Sequence, residues 1–235
     1  MKPSRAIVVG GTAGIGLELV RLLVSQGTRV AVVGRDFAAL DGLDVFRAQH
    51  DVADVNVVPE LFVNLTDQLG GLDLLIYSAG VMPVMQPDEF NTDKDLEMVK
   101  VNITGAVAWM NQAAARFYGA KHGCIISLGS VAGDRGRRGQ PVYNASKAFL
   151  HTYTESLRNR LACRGVRVIT IKPGPTRTRM TAYHDQSKMM DPAVAARKIL
   201  RLVGRQGEFY LSPVHAVVGF AFRHIPGWLM RRIRI

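Results

Sequence analysis

A tyrosine and a lysine stand four residues apart in PVYNASKAFL (141–150), a segment with helical character. At 3.6 residues per turn, Tyr143 and Lys147 share one helix face, so the phenol and the ammonium can reach one reacting centre. Free tyrosine titrates near roughly 10, and a neighbouring positive charge favours the phenolate. Such a pair alone is more often solvated helix surface, so its meaning depends on the rest of the chain.

Four glycines follow the first apolar run of the chain, in GGTAGIG (10–16). Gly10, Gly14 and Gly16 have the spacing G-x-x-x-G-x-G between a predicted strand and a predicted helix. Without side chains, the backbone can turn tightly and approach a pyrophosphate, whose charge meets the free N–H groups at the helix start. A glycine-rich turn is weak evidence by itself, but its place at the first strand–helix crossover favours a dinucleotide site.

The elements that must position these residues alternate along the chain. Short apolar runs predict five buried strands, in RAIVVGG (5–11), TRVAVVG (28–34), LDLLIYSAG (72–80), GCIISLGS (123–130) and VRVITIKPG (166–174). Amphipathic patterns predict helices near 17–26, 95–118, 144–163 and 191–204. This alternation predicts a doubly wound parallel sheet in a three-layer α/β/α domain. In such sheets ligands bind at the carboxyl ends of the strands.

Composition limits the classes that need consideration. The 235 residues are 48% hydrophobic without a low-complexity stretch, which is typical of one large domain with a substantial core. Cys124 and Cys163 have no metal-type spacing, so we predict no metal site and expect reduced thiols in a cytoplasmic protein. No apolar segment approaches the ~18 residues of a membrane-spanning helix. Glycines within the first apolar run argue against a signal peptide.

Positive charge is concentrated in the last third of the chain. Residues 158–235 contain 16 Lys or Arg against 3 Asp or Glu, whereas residues 1–157 contain 14 against 16, within a net charge of +11. This asymmetry can indicate an anionic partner, although a solvated basic face is the commoner explanation. Nucleic acid is not among the partners that we predict.

Six segments, in order, resemble motifs of the short-chain dehydrogenase/reductase family. They are GGTAGIG (10–16) for the cofactor turn, YSAG (77–80) for N-N-A-G, VKVNITG (99–105) for the helix with the active-site asparagine, SLGSVAG (127–133) for the serine strand, PVYNASKA (141–148) for Y-x-x-x-K and KPGPTRT (172–178) for P-G-x-x-x-T. Each match alone could be chance, but the ordered set is specific. The resemblance implies a Rossmann-type catalytic domain over residues 1–213.

The resemblance also implies roles that chemistry supports. Tyr143 would be the general acid, giving its proton to a substrate carbonyl oxygen while the nicotinamide delivers hydride. Lys147 would hold the nicotinamide ribose and favour the tyrosinate, Ser130 would hydrogen-bond the substrate oxygen, and Asn102 would support a water that links Lys147 to solvent. The structural alternatives are a helix cap for Ser130 and a loop hydrogen bond for Asn102.

The same resemblance implies the cofactor contacts. They are Gly10, Thr12, Gly14, Ile15, Gly16, Arg35, Asp51, Val52, Ala79, Gly80, Tyr143, Lys147, Pro173, Gly174, Thr176 and Thr178. The chain departs from the family pattern at Val9, where a threonine is usual, and at Tyr77 and Ser78, which replace both asparagines of N-N-A-G. None of these three transfers a proton, so the departures concern cofactor geometry and not the reaction class.

Residues after the second predicted strand indicate whether the cofactor is NADP(H) or NAD(H). An acid there would bind the adenosine ribose of NAD and repel a 2′-phosphate, whereas an arginine attracts the phosphate. Gly34 occupies the place of the acid and Arg35 follows it, which favours NADP(H). Asp36 lies 20 residues after Gly16 and could serve a ribose hydroxyl, so NAD(H) stays an alternative; its structural alternative is a helix N-cap.

The substrate is less defined than the reaction. Met180, Tyr183, Met189 and Met190 could cover a lipid-like or aromatic ketone. The segment 135–138 contains three arginines near the expected pocket mouth and could attract an acidic substrate or carrier. By resemblance, Lys121 and Arg164 match places that are often basic in ketoacyl-carrier-protein reductases, which makes an acyl-carrier-linked substrate an alternative.

The tail, residues 214–235, mixes apolar residues with Arg223, Arg231, Arg232 and Arg234. Two interpretations stay open: packing over the pocket or a subunit neighbour, which the sequence slightly favours, and a peripheral membrane contact.

We therefore expect an NADP(H)-dependent carbonyl reductase or alcohol dehydrogenase that forms a homodimer or homotetramer through the helices near 95–118 and 144–163. The alternatives are an NAD-dependent alcohol dehydrogenase and a non-catalytic dinucleotide sensor or scaffold.

Overall fold

Seven strands pair in parallel in a single sheet in the computed structural model, which describes residues 3–86 and 88–233. Their order across the sheet is β3-β2-β1-β4-β5-β6-β7. The strands are β1 (Arg5–Val9), β2 (Arg29–Gly34), β3 (Phe46–Gln49), β4 (Leu74–Tyr77), β5 (Cys124–Leu128), β6 (Arg167–Lys172) and β7 (Gly207–Tyr210). The strand order reverses between β1 and β4, which opens a crevice at their carboxyl ends.

Helices cover both faces of this sheet. They are α1 (Gly14–Ser25), α2 (Val58–Leu69), α3 (Thr92–Met98), α4 (Gly105–Ala120), α5 (Pro141–Leu161), α6 (Pro192–Leu200), α7 (Pro213–His224) and α8 (Gly227–Met230). Side chains alternate along β1, so Ile7 and Val9 join the core under α2, α4 and α5, whereas Ala6 and Val8 join the core under α1 and α6. The predicted doubly wound, three-layer α/β fold is confirmed.

Two edge strands, β3 and β7, and three helices, α2, α7 and α8, have no counterpart among the sequence-based predictions. The four residues of β7 are all only half-buried, and β3 buries Ala48 alone. Edge strands that bury so little leave no continuous apolar run in the sequence. The helix α2 was also not predicted, although Val58, Phe62, Leu65 and Leu69 form its buried face.

The helix predicted over 95–118 contains an interruption that matters for the site. A π-helical turn, Val99–Thr104, joins α3 to α4. Such turns are rare and are frequent at functional sites. This turn holds Asn102, which is fully buried.

The tail forms α7 and α8, and one side of α7 packs on the domain. A Cβ added at the buried Gly219 would lie 2.8 Å from both Asp134 Oδ2 and the Tyr210 hydroxyl, so glycine permits this close approach. On the other side, Val217 is 70% exposed and Phe220 67% exposed. Arg234, one of the tail arginines, lies outside the described residues. Within residues 3–86 and 88–233, no helix has the length and apolar character needed to cross a bilayer.

Candidate active site

The helix α5 carries Tyr143 and Lys147 to the carboxyl ends of β4 and β5. Lys147 Nζ donates to Leu128 O, the last residue of β5, at 3.0 Å, and lies 5.6 Å from the centroid of the Tyr143 ring. Only 4% of Lys147 is exposed, and burial lowers its pKa to about 8. The lysine therefore still carries a positive charge on most molecules at neutral pH.

The pKa of Tyr143 differs from the sequence-based expectation. Burial raises it, and the opposing effects of a hydrogen bond with Ser130 and of the nearby Arg137 charge do not cancel that rise. The phenol is therefore protonated at neutral pH, which is the form that can donate a proton.

Ser130 follows β5 and precedes a 3₁₀ turn, Val131–Asp134. Its Oγ accepts a hydrogen bond from Ala132 N at 3.1 Å, which is the cap considered from the sequence, and the hydroxyl is close enough to Tyr143 to lower the pKa of the phenol. Val131 N donates to Pro173 O at 3.0 Å, which ties the serine segment to the loop after β6. The hydroxyl therefore lies beside the phenol in a segment that the backbone holds in place.

Asn102 links three parts of the site. Its Oδ1 accepts from Val81 N at 2.8 Å, and its Nδ2 donates to Val81 O at 3.0 Å and to Ser146 Oγ at 3.2 Å. Ser146 Oγ in turn donates to Tyr143 O at 2.8 Å. A Cβ added at Gly80 would lie 3.3 Å from Asn102 Oδ1 and 3.5 Å from Lys147 Nζ, so the amide and the ammonium flank the same glycine.

Ser146 was not among the sequence-predicted site residues. It is fully buried and connects Asn102 to the backbone of Tyr143. Its position three residues after Tyr143, on the same helix face, is a signal that could have found it.

The glycine turn between β1 and α1 packs closely against neighbouring segments and has no room for side chains at its glycines. Gly10 has φ +80°, and a Cβ there would lie 2.5 Å from Ala79 N. A Cβ at Gly16 would lie 2.9 Å from Ser78 Oγ and in severe overlap with Gly10 O. α1 begins without a side-chain cap or an acidic residue in its first turn, which includes Ile15, so its N–H groups and dipole suit a pyrophosphate.

The loop after β6 reaches this glycine turn. A Cβ at Gly14 would lie 2.9 Å from Thr178 Cγ2, and Thr178 begins the 3₁₀ turn Arg179–Thr181. Thr176 Oγ1 donates to Gly174 O at 3.0 Å and so shapes the loop that starts at Pro173. The residues of P-G-x-x-x-T therefore line the same crevice as the glycines.

At the end of β2 the structure separates Arg35 from Asp36. Asp36 Oδ1 accepts from Ala38 N at 3.0 Å in a local turn, although the N-cap of the 3₁₀ turn Ala38–Leu40 is Phe37 and not Asp36, whereas the Arg35 side chain is exposed. A Cβ at Gly34 would lie 2.5 Å from Thr12 Cγ2, so this position has no room for an acid.

The neighbouring segment places the remaining predicted contacts at this end of the crevice. His50 N donates to Gly34 O at 3.0 Å, so the segment continues β3 alongside β2. Asp51 Oδ1 accepts from Ala53 N at 3.0 Å, and Val52 is buried.

The two substituted asparagines have structural roles. The Tyr77 hydroxyl donates to Val101 O at 2.8 Å and so braces the π-helical turn, and Ser78 N donates to Val9 O at 2.8 Å.

A buried charge cluster, which the sequence did not predict, lies behind the serine segment. Asp134 Oδ1 accepts from Lys172 Nζ at 2.9 Å and from Arg223 Nη2 at 2.7 Å, and Oδ2 accepts from the Tyr210 hydroxyl at 2.8 Å. Lys172 also forms an ion pair with Glu208 at 2.5 Å. Burial alone would raise the pKa of Asp134, but the hydrogen bonds from Lys172 and Tyr210 and the positive charges lower it below its usual range.

His151 borders this cluster and is uncharged at neutral pH. Its Nδ1 lies 3.9 Å from Asp134 Oδ1, and its Nε2 is buried without a hydrogen-bond partner among the described residues. Burial, with the charge of Lys172, lowers its pKa to about 4. Within the described part of the chain, no group of three or more His, Cys, Asp or Glu side chains could hold a metal ion.

Comparisons with known proteins match most of this chain. The family model described as short chain dehydrogenase matches residues 4–189. An "uncharacterized oxidoreductase" of Myxococcus xanthus (strain DK1622) is 34% identical over 189 residues, which cover 77% of this chain and 75% of that protein. Another, from Staphylococcus aureus (strain N315), is 32% identical over 204 residues, which cover 83% and 88%.

Solved structures share the fold. A short-chain dehydrogenase from Burkholderia cenocepacia in complex with NADP has a TM-score of 0.84 at 23% identity, with 98% of this chain and 97% of that chain covered. ElxO with NADP bound has a TM-score of 0.81 at 19% identity, covering 92% and 99%. A serine dehydrogenase from Escherichia coli has a TM-score of 0.80 at 26% identity, covering 89% and 98%.

Proposed function

Because this chain belongs to the short-chain dehydrogenase/reductase family, we propose that it is an NADP(H)-dependent oxidoreductase that interconverts a ketone and an alcohol, with ketone reduction as its main activity. The observation that carries the proposal is the convergence of four side chains at one point of the crevice. Ser130 is close enough to Tyr143 to lower the pKa of the phenol, and Lys147 and Asn102 flank the same glycine, Gly80.

Each of these side chains has a role in this chemistry. When bound, the nicotinamide cofactor supplies or accepts the hydride. Tyr143 holds a proton that it gives to the carbonyl oxygen during reduction, and the Ser130 hydroxyl donates to the same oxygen as negative charge develops there. The Lys147 ammonium stabilises the phenolate that remains, because opposite charges attract strongly in a buried site. Asn102 and Ser146 are positioning residues that hold the π-helical turn against α5.

The end of β2 supports NADP(H) over NAD(H). Gly34 leaves no room for an acid, and the carboxylate of Asp36 is engaged by the backbone of its own turn. The exposed Arg35 can meet a 2′-phosphate with a charged hydrogen bond. An NAD-dependent alcohol dehydrogenase is the alternative, and it requires Asp36 to leave that turn.

A dinucleotide sensor without turnover is the rival from another class. A sensor needs the glycine turn but has no use for a phenol kept protonated by burial beside a serine hydroxyl. A measurement of turnover therefore distinguishes the enzyme from the sensor.

A panel of aldehydes and ketones, assayed by the loss of NADPH absorbance, tests the proposed function. We expect at least one carbonyl compound to be reduced, with NADPH used in preference to NADH. If NADPH binds but no compound of the panel is reduced, and the corresponding alcohols are not oxidised with NADP⁺, the protein is a dinucleotide sensor and not an enzyme.

We also propose a homodimer or homotetramer that assembles through α4 and α5, within a catalytic domain over residues 1–213. Both helices present large exposed side chains, with Tyr118 41% and Phe149 38% exposed. Phe149 stacks on Tyr153, whose hydroxyl donates to Asn111 Oδ1 on α4, so the two helices form one outer face. Light scattering of the intact chain and of a Phe149→Glu variant would test this, because a buried carboxylate opposes association.

A peripheral membrane contact of a cytoplasmic protein is a second candidate role, for the tail. The outer side of α7 exposes Val214, Val217 and Phe220, and Trp228 on α8 is 57% exposed beside Arg232. Apolar side chains flanked by arginines suit an anionic lipid surface. Flotation with anionic vesicles should be weaker for the variant Val217→Ser/Phe220→Ser than for the wild type. The control is Val63→Ser, which changes an exposed valine of α2 and should float like the wild type. Equal flotation of the wild type and both variants would show that the tail does not have this role.

A further inference from the structure

A second cavity opens beside the catalytic phenol, between the serine–tyrosine segment and the tail. It has a volume of about 370 Å³, and its lining includes Arg135, Arg137, Arg138 and Arg231. The other lining residues are Gly136, Gly227, Met230 and Ile233, so among the described residues no carboxylate lines it. We refer to it as the arginine cavity.

The arginine cavity adjoins the site of chemistry. Arg137 is close enough to Tyr143 for its charge to lower the pKa of the phenol. Arg137 Nη2 also donates to Asn144 Oδ1 at 3.3 Å, one residue beyond the tyrosine. A group held in this cavity therefore lies next to a carbonyl that accepts the proton of Tyr143.

Among residues 3–86 and 88–233, no acidic side chain pairs with the arginines of the cavity. Arg137 Nε is buried without a hydrogen-bond partner among the described residues, and burial lowers the pKa of this guanidinium. Arg138 and Arg231 are exposed. Arg135 donates to two carbonyls at the end of α7, Arg223 O at 3.4 Å and Ile225 O at 3.1 Å, so it fixes the tail as a wall of the cavity.

Like charges gathered around one cavity repel each other, and a bound anion would remove that repulsion. Guanidinium groups bind carboxylate and phosphate oxygens with paired, charge-assisted hydrogen bonds. A buried N–H without a partner is costly, and the oxygen of an anion would satisfy it. The cavity volume lies within the range of ligand pockets, roughly 300–1,000 Å³.

The phosphates of the cofactor do not account for this cavity. Three of its arginines come from the segment after β5 and the fourth, Arg231, comes from the tail. Arg35, which we expect to meet the 2′-phosphate, follows β2. β2 and β5 are three places apart in the sheet order. At ~4.8 Å per strand this separation is about 15 Å.

We propose that the arginine cavity is an anion subsite, and that the natural substrate is a carbonyl or alcohol compound with a carboxylate or phosphate remote from the reacting carbon. This inference rests on the proposed function and specifies its substrate class. It also gives the tail a part in substrate selection, since Arg231 belongs to the tail.

The first test uses matched substrates. A keto acid is compared with its methyl ester, and a ketone bearing a phosphate ester with the parent hydroxyketone, by kcat/KM with NADPH. The test variant is Arg138→Gln/Arg231→Gln, and the control is Arg205→Gln/Arg232→Gln, which removes two exposed positive charges outside the cavity. The pair of compounds with the larger preference identifies the anion as carboxylate or phosphate.

We expect the wild type to prefer the anionic member of at least one pair by tenfold or more. The preference should fall close to one in the test variant and persist in the control. Equal use of charged and neutral members by the wild type would overturn the subsite and leave the proposed function standing, as would a preference that the test variant retains.

A second readout does not need turnover. Titration calorimetry with inorganic phosphate and with succinate should show binding to the wild type and to the control, weakened at least tenfold in the test variant. If the carbonyl panel shows no reaction, this binding pattern still supports the anion subsite while the proposed function fails. Absence of binding of both probes to the wild type would overturn the subsite.

Discussion

The cofactor edge and the substrate edge of the sheet are held together by different kinds of contact. At the cofactor edge, the carboxyl ends of β1 and β2, glycines bring backbone against backbone, as where Gly10 meets Ala79. At the substrate edge, behind β5, β6 and β7, buried charged side chains make the contacts, and Asp134 alone joins Lys172, Tyr210 and Arg223. The family model ends at residue 189, so it includes the cofactor edge but neither Tyr210 nor Arg223.

This difference separates what the chemistry requires from what the substrate requires. A pyrophosphate has one shape, and a glycine turn at a helix start is a general solution for it. The substrate edge depends on contacts between distant segments, such as Arg223 and Asp134, which are 89 residues apart. We infer that the first edge serves hydride chemistry in general, whereas the second, with the tail, selects the compound.

The largest expected effect comes from breaking the charge cluster. Asp134→Ala removes one of the two carboxylate partners of the buried Lys172 and leaves Glu208 as the other, and removing one member of a buried pair costs up to about 3–5 kcal/mol of unfolding free energy. Denaturant unfolding measures this loss. The matched control is Asp41→Ala, whose carboxylate is 79% exposed in its pair with Arg47 and should cost at most about 1 kcal/mol.

The same variant sharpens the comparison between the edges. If the two edges are independent, folded Asp134→Ala should bind NADPH as the wild type does. A parallel loss of NADPH affinity and stability would contradict the separation of the edges.

A smaller effect is expected at the cofactor edge. Arg35→Ala should weaken NADPH binding by about 1.5–3 kcal/mol, the strength of a hydrogen bond to a charged group, and weaken NADH far less. Arg21→Ala is the control, because Arg21 is an exposed arginine of α1 that pairs with Glu18. The dissociation constants of NADPH and NADH, measured for the wild type and both variants, test this. If Arg35→Ala weakens the binding of both dinucleotides equally, the preferred cofactor would be NAD, with Asp36 as the residue that binds its ribose.

The pH dependence of stability should report on His151. Its folded pKa of about 4 lies below the ordinary 6.5, so in that window the unfolded chain binds a proton that the folded chain does not. Stability should therefore fall as pH drops, by about 2 kcal/mol between about pH 7 and pH 5. In denaturant unfolding at the two pH values, His151→Gln should lose this decrease and His122→Gln, an exposed histidine, should keep it. If the stability of His151→Gln still falls by the same amount between the two pH values, other titrating groups are responsible for the decrease.

The sequence predicted what local patterns encode. Apolar runs located the central strands, and the ordered motifs located Asn102, Ser130, Tyr143 and Lys147 before any geometry was known. Parallel strands bring their carboxyl ends to one edge, so the topology alone brings such residues together.

What the sequence did not predict depends on contacts between distant segments. The edge strand β7 carries Tyr210 to Asp134, 76 residues away, yet its half-buried residues leave no periodic signal. The raised pKa of Tyr143 follows from burial, which the spacing of the pair does not predict. The arginine cavity likewise needs Arg231 brought across the fold from the end of the chain.

The most direct test of the proposed chemistry is Tyr143→Phe, measured for NADPH binding and for turnover of any carbonyl substrate that the wild type reduces. The change removes one proton donor and keeps the ring, so NADPH affinity should stay within about twofold while kcat falls by ~100 to 10,000-fold, the usual worth of general acid–base catalysis. Tyr153→Phe, on the same helix but bonded to Asn111, should keep full activity. Near-normal turnover in Tyr143→Phe would contradict the account.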